Sequence, residues 1–437
     1  MPDPAASKPP AWFRLFPFLR APNDVTPRQW RLLGLLGVTV LINHYDFGIL
    51  TAALLQIQNE LGVAEADVGR MVGVIRVGAI LALPLSVVAD RRGRRRLLIV
   101  TILGFTLCTV LTALAQTPAQ FTVLQFGARM FVSAEELLAV VVIAEEFGAA
   151  RRGFALGVMA ALGSLGHAFA YIGFGFIDVL PWGWRSLYLI GAVPLLLLAW
   201  IRRTLPETRR FEAEQAARGS EGGLRAALQP LRDLLLTYPG RAAALAAMIV
   251  PASMIMIAAN TFPVKFLQEE HGWTPGMIPV LMVGGGFLVY ASMSLAGTIA
   301  DRVGRRRMAA TGMILNALGI WIFYNGSGWA VVPGWVLMLA GFVSADVIFG
   351  ALGSELFPTA YRSTASGFRA LCWIAGGVLG LVVVEGQLFG LFGSHAAAVT
   401  WMLAGAWIAP LVALFSIPET ARRELEEIAP GRRPDQR

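Results

Sequence analysis

Asp46, Arg76 and Arg129 each sit inside a long apolar run. An acid beside one or two guanidiniums can hold or release a proton as its surroundings change. A neighbouring cation favours the charged carboxylate, whereas burial favours the neutral acid. The three residues are therefore candidates for a proton-coupling site, and the plainer alternative is a fixed ion pair that orients helices. Glu135 and Glu136 lie further along the run that holds Arg129, and Asp346 follows Glu136 by 210 residues. Successive helical residues point about 100° apart, so one of the two glutamates faces a given cavity; the spacing to Asp346 favours Glu136. Acids so placed can bind a cation, share a proton or hold polar groups of a substrate. Arg369 either pairs with Asp346 or Glu355 or binds a substrate carboxylate. His167 is a packing residue or a proton relay.

The elements that must position these groups follow from composition. Of 437 residues, 56% are hydrophobic and 15% charged, against about 25% charged in a soluble domain. Twelve apolar runs lie near 30–55, 68–89, 97–116, 119–147, 153–177, 186–203, 242–267, 274–300, 308–325, 331–356, 363–388 and 396–417. About 20 apolar residues cross a hydrocarbon core, so the chain reads as an all-α membrane protein with twelve transmembrane helices, here called spans 1 to 12. The net charge of +8 is held in short basic clusters between these runs. A nucleic-acid interface needs a solvated basic face, and that class is excluded. The proline-rich start has no uninterrupted apolar core and does not read as a cleaved signal peptide. Cys108 and Cys372 lie far apart within apolar segments and imply neither disulfide nor metal; no cofactor is expected.

Orientation and depth can also be read. Arg91, Arg92, Arg94, Arg95, Arg96, Arg151, Arg152, Arg302, Arg305, Arg306, Arg307 and Arg362 fall in loops on one side, against Arg70, Arg185 and Lys265 on the other. The excess of positive charge on cytoplasmic loops then predicts both termini in the cytoplasm, in a cell inner membrane. Apart from Arg202 and Arg203 at the cytoplasmic end of span 6, spans 3, 6, 9 and 12 hold no acidic, basic or histidine residue, whereas spans 1, 2, 4, 10 and 11 do. Intramembrane charges usually face a cavity or a partner. Counted at about 1.5 Å per residue, Asp46, Arg76 and Arg129 all lie roughly 12–15 Å below the outer boundary.

The chain repeats itself. "ADRRGRRR" at 89–96 returns as "ADRVGRRR" at 300–307, moving Asp90 to Asp301. Glu145 and Arg152 recur as Glu355 and Arg362, each 210 residues on, and "LPETRR" recurs as "IPETARR". A period of half the chain predicts two pseudo-symmetric six-helix bundles, the plan of duplicated transporters. The boundaries read as a cytoplasmic tail (1–29), an N-terminal bundle (30–204), a central cytoplasmic loop (205–240), a C-terminal bundle (241–418) and a tail (419–437).

On these residues the chain resembles the major facilitator superfamily over 30–420. The family's motif G-x-x-x-D-R-x-G-R-R is complete as Gly297, Asp301, Arg302, Gly304, Arg305 and Arg306; the first copy keeps Asp90, Arg91, Gly93, Arg94 and Arg95 but has Ser86 for the first glycine. The E-x6-R pairs Glu145/Arg152 and Glu355/Arg362, the two "PET" stretches and "HYDFGIL" resemble the sugar-porter and metabolite–proton symporter branches. The resemblance implies a cytoplasmic latch built from these motif residues. It also implies alternating access around a midplane site where Asn260 contacts substrate, with a small polar organic solute carried alongside protons, as a monomer in the lipid bilayer. Span 5 lacks the Gly-Pro pair of drug–proton antiporters, which makes an exporter the second reading. A membrane enzyme or transport-dead receptor is the reading from another class. An enzyme needs clustered catalytic groups, and the histidines at 44, 167, 271 and 395 are scattered in sequence.

Overall fold

A computed structural model of the chain describes residues 9–15, 21–22, 24–82, 84–85, 94–202 and 224–420. Seven helices among the described residues are long and apolar enough to cross a membrane unaided: Pro27–Ala52, Arg151–Phe174, Pro239–Glu269, Arg305–Asn325, Gly328–Gly353, Arg362–Phe392 and His395–Phe415. These are spans 1, 5, 7, 9, 10, 11 and 12. Spans 3 and 6 contain shorter apolar helices, Leu97–Thr112 and Trp184–Leu198. Span 4 is one helix, Pro118–Glu146, and its Thr117 side chain caps the first turn by accepting from the Gln120 N–H. Span 8 is Ile278–Val303. Span 2 changes from α-helix over Val68–Val77 to a tighter 3-10 turn over Gly78–Leu81. The twelve helices form two bundles of six, all-α as the sequence predicts.

Small residues bring certain helices close. A Cβ added to Gly166 of span 5 would fall 2.0 Å from the Leu41 carbonyl oxygen of span 1. A Cβ on Gly376 of span 11 would fall 1.8 Å from Ser253 Oγ and 2.5 Å from the Val250 carbonyl oxygen, both in span 7. The two positions are 210 residues apart, so the repeat extends from motifs to packing. Without a hydrophobic force between helices in lipid, such close backbone approach is a main source of cohesion.

The segment read as an N-terminal tail is partly docked. Phe13 is buried, with its ring centroid 5.1 Å from Trp30 and 5.9 Å from Phe154. Asp24 pairs with Arg151 at 2.8 Å, and this bond holds the Asp24 carboxyl below its ordinary range. Of the central loop, residues 203–223 lie outside the described set and Leu224–Thr237 is helical.

The polar contacts joining the two halves between described residues gather at the end remote from the chain termini. Gln56 Nε2 donates to Gln268 Oε1 at 2.6 Å, and Lys265 Nζ donates to Gln58 Oε1 at 2.7 Å. Glu65 meets Lys265 at 2.9 Å and His395 at 3.0 Å. Beside them, Gly69 and Gly73 of span 2 lie against Leu381, Val382 and Glu385 of span 11.

Candidate functional site

Span 1 points two consecutive side chains in different directions, and this organises the site. Asp46 is buried, and its Oδ1 accepts a hydrogen bond from Thr109 Oγ1 of span 3 at 3.2 Å. The polar line continues between spans 3 and 4, where Gln125 Nε2 donates to Thr112 Oγ1 at 3.2 Å. Tyr45 donates to the Leu187 carbonyl at 3.0 Å and ties span 1 to span 6. Phe47, about 100° further round, carries the cations. Arg76 Cζ lies 5.0 Å from its ring centroid and Arg129 Cζ 5.1 Å.

The expected neighbourhood of Asp46 and a guanidinium is present as electrostatic reach from Arg129 and not as a direct ion pair. Among the described residues Asp46 makes no ion pair, and the two arginines flank the neighbouring aromatic ring instead. The Nε atoms of Arg76 and Arg129 are both buried without a hydrogen-bond partner. His167 completes the group, edge-on to Phe47 at 5.9 Å and to His44 at 5.0 Å. His44 Nδ1 is 2.9 Å from the Val40 carbonyl, and its ring lies over Gly163. Two guanidiniums and the His167 imidazole thus surround one phenyl ring, with His44 behind His167. An arginine fork binds carboxylate in two parallel hydrogen bonds.

The other candidates distribute as follows. Glu135 is buried and Glu136 half-buried, so the second presents the more open carboxylate. Asp346 meets Arg369 at 3.5 Å, which is the salt-bridge reading of Arg369. Asn260 Nδ2 donates to the Met256 carbonyl at 2.7 Å at the end of its helix.

Near the termini, the motif residues of the second half are tied together. Gly304 takes φ +108°, a conformation that side chains rarely adopt. Glu419 of the second PET stretch accepts from the Arg305 backbone N–H at 2.7 Å, and so sits at the start of span 9. An anion there is favoured by the unpaired N–H groups and the helix dipole. Arg305 Nε reaches Glu355 at 2.9 Å, and Thr420 donates to Glu355 at 2.6 Å. Glu355 is thus held by Arg305 and Thr420, and Arg362 has a buried Nε with no hydrogen-bond partner. In the first half Arg152 donates to the Phe147 carbonyl at 3.1 Å, and Glu146, next to Glu145, pairs with Arg28 at 3.2 Å. Arg302 is exposed and Arg306 half-buried. Asp90, Arg91 and Gly93 lie outside the described residues, as do the side chains of Arg94, Arg95 and Asp301 and the surroundings of Gly297.

Reading from sequence missed Phe47, Thr109 and Glu419, and it missed the cluster of Glu65, Lys265, Glu385 and His395. The repeated PET was the one available signal for Glu419. For Glu385 it was an acid closing the apolar run "GLVVVE".

A family model described as the Major Facilitator Superfamily matches residues 36–259 and again 243–435. A probable 4-methylmuconolactone transporter of Cupriavidus pinatubonensis is 25% identical over 413 residues, covering 89% of this chain and 90% of its own. The cis,cis-muconate transport protein of Acinetobacter baylyi is 25% identical over 360 residues, covering 79% and 84%. Among solved structures, a D-xylose-proton symporter superposes with a TM-score of 0.72 at 19% identity, over 89% of this chain and 98% of that one.

Proposed function

The chain belongs to the major facilitator superfamily, and from that premise we propose that it is a secondary transporter carrying an organic anion together with protons. It is not an enzyme. The observation that carries the proposal is the pair of guanidiniums flanking Phe47, which among the described residues have no carboxylate within ion-pair distance, with Arg129 in electrostatic reach of the buried Asp46 one residue away. The names of two relatives support the substrate class, since muconate and 4-methylmuconolactone are unsaturated carboxylates.

In this reading the substrate carboxylate lies between Arg76 and Arg129, with its unsaturated part against Phe47 and His167. Asp46 carries the proton. The bound anion cancels the positive field of the arginines, so a proton on Asp46 and an anion between the guanidiniums stabilise one another. That mutual stabilisation is what symport requires: the loaded carrier crosses with both or with neither. Glu136 and the Asp346–Arg369 pair line the path on the cytoplasmic side of this site, and Asn260, five residues before Lys265, contacts the substrate from the outer side. The motif residues near the termini form the cytoplasmic latch, with Glu419 and Glu355 as its anions in the second half. The bundles span 30–204 and 241–418, both termini are cytoplasmic, and the protein works as a monomer in the inner membrane.

The test is lumenal pH in proteoliposomes of the purified protein, with cis,cis-muconate, benzoate, D-xylose or an organic cation added outside. Lumenal acidification on adding a carboxylate is expected, and none with D-xylose. Asp46→Asn is expected to abolish the proton signal. Alkalinisation would mean exchange and would sink the symport reading; a response to the sugar alone would sink the anion reading.

A further inference from the structure

At the outer end of the molecule a second acid–base cluster closes the seam between the halves. His395, at the start of span 12, has Nδ1 2.5 Å from Glu385 Oε1 and Nε2 3.0 Å from Glu65 Oε1. Glu385 is 1% exposed and His395 7%. Glu385 ends a π-helical turn, Gly380–Glu385, inside span 11; such turns often mark functional positions. It fills the room left by Gly69 of span 2, where an added Cβ would meet Glu385 Oε2 at 2.1 Å. Glu65 belongs to the loop between spans 1 and 2, so its contact with His395 crosses from one half to the other.

Hydrogen counting fixes how many protons this arrangement holds. A neutral imidazole has one N–H and one lone pair, and a carboxylate only accepts. Here both ring nitrogens face carboxylate oxygens. The Nε2 contact with Glu65 lies off the axis of a good hydrogen bond, yet at 3.0 Å a lone pair facing a carboxylate oxygen would be repelled. Glu65 itself stays ionised. The nearness of the His395 ring comes first among the causes that bring its pKa to about 2, followed by bonds from Lys265 and Gln58, against the opposing effect of burial. A group lowered in this way favours the contact above its ordinary pKa and loses it only as pH falls toward 2. Nε2 therefore carries hydrogen, and the bond between Nδ1 and Glu385 needs a second proton. Two aromatic rings enclose the imidazole, Phe262 stacked at 4.4 Å and Phe389 at 4.6 Å. Aromatic faces of this kind favour a cation and keep water out.

We propose that His395 and Glu385 form a second proton-binding site, which holds its proton when the outer seam is closed and loses it when Glu65 moves away. The gating part rests on the alternating-access reading above. Among the described residues, charged and titratable groups from four elements surround His395. Glu385 comes from span 11 and Glu65 from the loop after span 1. Lys265 of span 7 bonds Glu65 and, at 2.6 Å, Glu269. From span 9, Tyr324 is within electrostatic reach of Glu385, but its hydroxyl donates to the Ala259 carbonyl. Lys265 is shared by two carboxylates, which leaves the local charge negative even with an imidazolium present. By linkage, a closed form that binds the proton more tightly than the open form is favoured at low pH. Asp46 sits deeper, among different partners, so the two proton sites are separate.

The distance across the seam tests this without any substrate. Spin labels go on Ala66→Cys and Thr274→Cys, both exposed, with Cys108 and Cys372 changed to serine. Distances are recorded in nanodiscs by electron–electron double resonance from pH 5 to 9. The short-distance population is expected to fall as pH rises in the parent and in Asp46→Asn. His395→Gln is expected to flatten that curve. Should it fail to fold, Glu385→Gln serves in its place, moving the midpoint at least about one unit to lower pH, as loss of an adjacent carboxylate does. A flat parent curve, an unchanged curve in His395→Gln or an unmoved midpoint in Glu385→Gln would overturn the proposal. A curve abolished by Asp46→Asn would also overturn it, leaving the transport reading intact. A pH-dependent seam in a protein that moves no carboxylate would separate the two ideas the other way.

Discussion

Arg129→Gln is expected to reduce carboxylate uptake into proteoliposomes by at least thirty-fold, with Arg76→Gln following the same pattern. Among the described residues neither guanidinium head has a carboxylate within ion-pair distance; each lies over Phe47, at 5.0 and 5.1 Å, and Arg129 is within electrostatic reach of Asp46. A cation over an aromatic face contributes about 0.5–2 kcal/mol. Taking a guanidinium out of water costs several kcal/mol, so the ring offsets only part of that cost. An incoming carboxylate offsets the rest, and binding energy is concentrated there. Truncating one partner of a buried charge pair costs about 2–5 kcal/mol, and the lower figure is about thirty-fold in affinity. Arg129→Lys keeps the charge but loses the planar fork, so it should fall between parent and Gln. The measurement is initial uptake of labelled carboxylate against concentration, with detergent melting curves to show that each variant is folded. Unchanged uptake in both Gln variants would return the arginines to a structural role. A loss confined to Arg129→Gln would place the anion on span 4 alone.

The difference between what the chain announces and what it conceals has a geometric cause. Spans, repeat and the charged helices follow from apolar run length and motif spacing, both linear properties. Depth is linear too, and the arginines do meet around span 1. Azimuth is not linear. One residue turns a side chain by about 100°, enough to give Thr109 to Asp46 and the guanidiniums to Phe47. The pairing of Arg369 with Asp346 was legible because both lie on adjacent spans and few other charges compete. Lys265 and Glu269 sit one helical turn apart and Glu385 lies ten residues before His395, but Glu65 joins them from the other half of the chain. The π turn before Glu385 also shifts the register, so a 3.6-residue period would misplace it. Glu419 was visible as part of a repeat whose purpose only the fold supplies: it stands at the start of span 9, where an arginine motif opens the helix.

Glycine content misleads in a similar way, and the second large effect expected is a contrast between two glycines of span 5. Gly157→Ala should leave the melting temperature unchanged or slightly raised, because an added Cβ there meets nothing within 4 Å. Alanine also suits a helix interior better than glycine by up to about 1 kcal/mol. Gly166→Ala should lower it by at least about 5 °C, because the new methyl would stand 2.0 Å from the Leu41 carbonyl oxygen and 3.1 Å from His44 Cβ. The first obstacle is backbone and cannot rotate aside, so spans 1 and 5 must separate. Separation would carry His44 away from His167, whose rings now meet at 5.0 Å, and would loosen the wall behind Phe47. Transport should therefore fall in Gly166→Ala even below its melting point, while Gly157→Ala transports like the parent. Equal melting temperatures for the two variants would mean that the span 1–span 5 contact yields without cost, and the anion pocket would then lack the rigid wall assigned to it here.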